Sequence, residues 1–166
     1  MKQHEMQKSL NTNPTADFYY KMADHTDKVY KFVKLYNDYA NTPRDYGVGE
    51  KINMLGIHIM TAIGENPGIT VTELADQWFR TKGSISQVLT QLSASGYITK
   101  KRDGKNTRLY PTAAGMELSS AHKYYDAKKF KRRLDYFLLT CTEQEIDAFY
   151  KVLDCYTQLL LDHQGE

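Results

Sequence analysis

Between residues 81 and 91 the chain carries Thr81, Lys82, Ser84, Ser86, Gln87, Thr90 and Gln91: hydroxyls, amides and one ammonium, without a single carboxylate. A little further on come Arg102, Lys105, Asn106 and Arg108. A Gln side chain can pair with adenine through two hydrogen bonds, and Ser or Thr can bond base edges or phosphate. Lys and Arg neutralise backbone phosphates. Residues 80–108 contain seven basic residues and one acid, Asp103, so this segment is +6 in a chain whose net charge is only +2. A basic block in a nearly neutral chain is the electrostatic footprint of a polyanion partner.

Other chemistries find no constellation. No nucleophile–base–acid set or carboxylate pair can be assembled, and Gly47-x-Gly49 follows no strand, so it is not a dinucleotide loop. The chain is read as no enzyme. His4, His25, His58, His122 and His163 lie in neither HxxH nor HExxH spacing, so no metal ion or cofactor is expected, and His58 reads as a core histidine. Cys141 and Cys155 form no CxxC; they read as small buried hydrophobes in a reducing cytoplasm. No run approaches the roughly 18 apolar residues of a membrane span. The opening "MKQHEMQKSLNTNP" has no apolar core and reads as a polar tail.

The elements that must position these groups follow from periodicity. Residues 16–40 carry Met22, Val29, Val33 and Tyr36 at helical spacing, and "NTPRDYGVG" breaks the pattern. Residues 50–63 are apolar almost all round, as in a buried helix. Thr70-x-x-Glu73 is a capping box opening a helix that runs to about Trp78. Thr81 is the N-cap of the next, whose core stripe is Ile85, Val88, Leu89 and Leu92 and whose stop is Gly96. That stripe turns Gly83, Gln87, Thr90 and Ala94 to the opposite side, flanked by Ser84, Ser86 and Gln91. "YITKKR" and "TRLYP" read as strands joined across "DGKN", with Lys105 and Asn106 at the tip and Pro111 at the closing edge. A long helix is expected over 112–139, and Thr142-x-x-Glu145 opens a last one bearing Ile146, Phe149, Leu153, Tyr156 and Leu160.

Helix, turn, helix and basic hairpin, in that order, make a winged helix-turn-helix. The fold class is therefore mostly α with a small β-hairpin wing, flanked by N- and C-terminal dimerisation helices. The expected divisions are a flexible polar tail (1–15), an N-terminal dimerisation helix and connector (16–48), the DNA-binding domain (49–115) and C-terminal dimerisation helices (116–166). Ser86, Gln87, Thr90 and Gln91 would read bases of double-stranded DNA in the major groove. Thr81, Lys82 and Ser84 would hold its backbone, and Arg102, Lys105, Asn106 and Arg108 would make the wing contacts.

From residue 52 to about 115 the sequence resembles the MarR family of winged-helix transcriptional regulators. The residues that carry the resemblance are "GENPGITVTELADQW" with its Leu74-Ala75 pair, "TKGSISQVLTQLSASGYITKKRDGK" with its exit from Leu92 to Gly96, and "PTAAG" with Thr112 and Gly115. The resemblance implies a cytoplasmic homodimer with interlocked terminal helices, acting on a (pseudo)palindromic operator, most often as a repressor. It also implies a pocket that can take a small aromatic effector. Tyr19, Tyr20, Tyr30, Tyr36, Tyr39, Tyr124 and Tyr125 could line such a pocket, although packing at the dimer interface is the favoured reading. The wing departs from the family in its short "DGK", which puts Lys105 where an Arg usually sits. Trp78 reads as core and Phe79 as a partly exposed packing residue. The alternative is a winged-helix module that binds protein instead of DNA; such a module has no need of an acid-free helix face.

Overall fold

A computed structural model describes residues 15–23 and 25–163. The expected polar tail, Thr15 apart, and His4 lie outside the described residues. By internal contacts the chain divides into two compact units: Met1–Pro43 with Asn53–Leu55, and Arg44–Ile52 with Gly56–Glu166.

In the first unit the single helix expected over 16–40 is two, α1 (Ala16–Ala23) and α2 (Thr26–Asn41). Thr15 begins α1, its hydroxyl accepting from the Phe18 amide at 3.3 Å. Lys34 and Asp38 pair along α2 at 2.7 Å, one turn apart. The helix ends where the Thr42 amide and hydroxyl both bond the Asp38 carbonyl, at 3.2 and 2.8 Å. Pro43 follows and bars a further turn. Neither helix buries a residue.

The second unit opens with a feature the sequence reading missed. Residues 44–52 form a small antiparallel ribbon, β1 (Arg44–Asp45) against β2 (Lys51–Ile52). Asp45 Oδ1 accepts the amides of Gly47, Val48 and Gly49 at 2.7, 3.2 and 3.2 Å. These bonds hold its carboxyl below the usual carboxylate range. The apolar helix α3 (Met54–Glu65) thus starts four residues later than expected.

Then come α4 (Val71–Gln77), α5 (Lys82–Ala94), the hairpin β3 (Ile98–Asp103) and β4 (Asn106–Pro111), α6 (Ala113–Phe137) and α7 (Glu143–His163). The core draws Ile57, Ile59, Met60 and Ile63 from α3, Leu74 from α4, Ile85 and Leu89 from α5, Leu109 from β4 and Leu118 from α6. Burying each such side chain stabilises the fold by about 1.5–3 kcal/mol.

Thr112 fastens α6 to this core. Its hydroxyl donates to the Gly96 carbonyl at 2.7 Å and accepts from the Gly115 amide at 3.1 Å, while its own amide bonds the Tyr97 carbonyl at 3.0 Å. Gly115 is required at this corner, because a Cβ there would run into the Tyr97 carbonyl oxygen.

One expectation is overturned. Cys141 and Cys155 are both exposed, not buried. Cys141 precedes α7 and Cys155 lies on it, and that helix buries no residue within the chain.

Candidate nucleic-acid interface

The helix α5 begins as its sequence dictates. Thr81 has extended backbone and its hydroxyl accepts the Ser84 amide at 3.2 Å. Ile85, Leu89 and Leu92 are buried and Val88 is half-buried, so the opposite side is fixed outward. Lys82, Gly83, Ser86, Gln87, Thr90 and Gln91 are exposed, and Ser84 is half-buried. The Thr90 hydroxyl donates back to the Ser86 carbonyl at 2.9 Å, which leaves its oxygen to act as an acceptor. Ser86, Gln87, Thr90 and Gln91 thus share one acid-free surface.

The turn that launches this helix is unusual. Phe79 has φ +48°, a left-handed conformation that bulky side chains rarely adopt, and its side chain is 68% exposed. Trp78 is half-buried with its ring stacked on His58, centroids 5.4 Å apart.

The hairpin is closed by a two-residue loop, with Asp103 opposite Asn106 and Gly104 at φ +57°. Positive φ at the first loop residue is the requirement of a type II′ turn, and glycine meets it without strain. Lys105 and Asn106 are exposed at the tip, as are Lys100, Lys101 and Arg102 along β3. Lys101 lies 5.0 Å above the Tyr110 ring.

Arg108 differs from the rest of the expected wing contacts. Its Nε donates to Asp103 Oδ2 at 2.6 Å and its Nη1 to the Gly68 carbonyl at 3.1 Å. The Asp103 carboxylate raises its pKa further. The backbone beside it is also engaged: Gly68 donates to the Leu109 carbonyl, Leu109 donates to the Ile69 carbonyl, and Thr70 bridges to Arg108. The segment before α4 is thereby tied to the wing through a single antiparallel bridge. The α4 cap lies alongside, with Glu73 accepting from the Thr70 amide and hydroxyl, both at 2.7 Å.

A helix presenting hydrogen-bonding groups beside a basic, braced hairpin is the geometry of a groove-reading unit. Residues 57–109 match the MarR family. This segment is similar to the MarR family. The matching segment contains every expected base, backbone and wing residue, from Thr81 to Arg108.

A relative from Bacillus subtilis (strain 168), an uncharacterized HTH-type transcriptional regulator called YhjH, is 34% identical over 105 residues. The match takes in 61% of this chain, and the chain spans 59% of that relative's length. Among solved structures, the crystal structure of Streptococcus pneumoniae FabT in complex with DNA superposes with a TM-score of 0.60 at 22% identity, covering 87% of this chain and 98% of that one. Lactococcus lactis ZitR in complex with DNA gives 0.61 at 14% identity, covering 81% and 96%. At such identities the two structures establish the fold alone, a winged helix with flanking helices.

One group of chemistry-bearing residues went unread in the sequence. His58 on α3 meets His122 and Asp126 on α6, their donor atoms all within 4.8 Å of one another. Only the one-turn spacing of His122 and Asp126 was available to the eye; His58 lies more than sixty residues earlier. Among the described residues, no helix is long and apolar enough to cross a membrane.

Proposed function

We propose that this chain is a sequence-specific DNA-binding transcriptional repressor that works in the cytoplasm as a homodimer on a (pseudo)palindromic operator. The observation that carries the reading is the outward side of α5, acid-free and donor-rich, set beside a hairpin whose exposed side chains are basic. Ser86, Gln87, Thr90 and Gln91 read bases, while Thr81, Lys82 and Ser84 hold the backbone. Arg102, Lys105 and Asn106 make the wing contacts, and Arg108 keeps the wing in place for them. Residues 49–115 form the DNA-binding domain.

The flanking stretches, 16–48 and 116–166, form the dimer. In support, α1, α2 and α7 bury nothing within one chain, yet they expose Phe32, Val33, Phe149, Leu153 and Leu160. A second copy would cover such apolar side chains, and a symmetric dimer reads two half-sites about one helical turn apart. A small aromatic effector would regulate the protein by binding two arrangements of the dimer unequally.

Selection of bound genomic fragments followed by titration at several salt concentrations tests the reading. One enriched motif with dyad symmetry is expected, and log affinity should fall linearly with log salt. Binding that ignores both sequence and salt, or no enriched motif, would replace this reading with the protein-binding one.

A further inference from the structure

Among the described residues, glycine holds every position of positive φ but one: Gly47, Gly49, Gly68, Gly96 and Gly104. The exception is Phe79, at +48° in the turn between α4 and α5. A left-handed backbone crowds the Cβ of an L-residue against a carbonyl oxygen, and glycine alone takes it without strain. Burial of the ring does not offset that strain, because Phe79 is 68% exposed. The free chain therefore carries both a strained backbone and an apolar ring in water at one residue.

The turn around Phe79 is pinned on both sides. Before it, the Trp78 amide bonds the Leu74 carbonyl at 3.1 Å and the Trp78 ring stacks on His58. After it, the Arg80 amide bonds the Ala75 carbonyl at 2.9 Å, and the Thr81 hydroxyl caps α5. Two trans peptide units separate Phe79 from Thr81, so its Cα lies within about 7.6 Å of that N-cap. Arg80, Thr81 and Lys82 are all exposed beside it. The first turn of a recognition helix is the part that meets base edges. There the apolar group a duplex displays is the C5-methyl of thymine, which Phe can contact. A phenyl ring can hydrogen-bond none of the other groups on the edges of the bases.

We propose that Phe79 is a specificity-determining residue of the DNA interface, packing its ring against one thymine methyl group in each half-site. This rests on the DNA-binding reading and adds to it the base pair that the turn selects. The strain at residue 79 is then offset in the complex and not in the free chain. Relieving it should stabilise the protein and weaken its grip on the operator.

The test uses the full chain and the operator duplex selected above. Each thymine is replaced in turn by deoxyuridine, which removes only the methyl group. At one position per half-site the parent should lose affinity by about fourfold, the contribution of one buried methyl group. Phe79→Gly and Phe79→Asn both tolerate the left-handed backbone. Both should bind the thymine duplex more weakly and should not discriminate uracil at that position. Without DNA, Phe79→Gly should melt about 2–4 °C above the parent. A parent that binds no operator would remove the DNA-binding reading and this assignment with it. A parent that binds its operator but gives the same deoxyuridine scan as both variants would overturn the assignment of Phe79 alone. Equal weakening of both variants on thymine and uracil duplexes would place the ring on deoxyribose and overturn the thymine contact. A Phe79→Gly protein that melts below the parent would make the ring a packing element of the free chain, which also overturns it.

Discussion

At the scale of single residues, the proposed function assigns Gln87 and Lys105 two different kinds of DNA contact. Gln87 is exposed on the acid-free side of α5, and if that side reads bases as proposed, truncation removes a two-bond contact to one base. Gln87→Ala should therefore cost about 1–3 kcal/mol at one operator position and relax specificity there, as measured with a panel of single-base operator variants. Lys105 stands at the hairpin tip as a point charge. Lys105→Ala should weaken binding about equally on all sequences and flatten the salt slope by about one unit. The identity of both residues was legible from composition and spacing. The role of Arg108 was not. Its charge reads like that of its neighbours, and only the fold brings the Gly68 carbonyl, forty residues away, into reach.

At the scale of elements, the caps and corners decide stability. Glu73 reaches back to the Thr70 amide first and the Thr70 hydroxyl second, and these bonds hold its carboxyl below its ordinary value of 4.5. Because the folded pKa is the lower one, the capping contribution is fully present above the unfolded value. It is lost as pH falls through the folded value. Thermal melts from neutral to acid pH should show Glu73→Gln already lowered at neutral pH and converging on the parent in acid. A constant difference between the two across the whole range would refute that linkage. The corner at Gly115 is stricter. Gly115→Ala drives a methyl group into the Tyr97 carbonyl, so the α6 start must shift, at a cost of about 3 kcal/mol in chemical denaturation. The capping boxes were readable because each is closed within four residues. The ribbon at residues 44–52 was not, since its two strands are only two residues each and carry no alternation to detect.

At the scale of the whole molecule, the exposed apolar side chains of α7 predict assembly. Leu153 and Leu160 lie two turns apart on one side of a helix that buries nothing in the single chain. Leu153→Glu combined with Leu160→Glu should convert the proposed dimer to a monomer in sedimentation velocity. Operator affinity should fall steeply, because one half-site contact then acts alone. A variant that sediments like the parent would place the dimer contact elsewhere. The cysteines belong to this scale too. Cys155 has the hydrophobic neighbours of a buried thiol along its helix, but burial in a single chain depends on what packs against that helix.

By itself the sequence determined what is decided locally. Helical periodicity, two capping boxes, the glycine stop and the Asp-Gly hairpin rest on hydrogen bonds and side-chain spacing within a few residues. The acid-free side of α5 and the basic block follow directly from residue type. The tertiary structure alone decided the bridge from Thr70 to the wing, the engagement of Arg108, the exposure of both cysteines and the meeting of His58 with His122 and Asp126. Each of these joins segments whose separation along the chain carries no periodic signal, so only the packed core sets which of them meet.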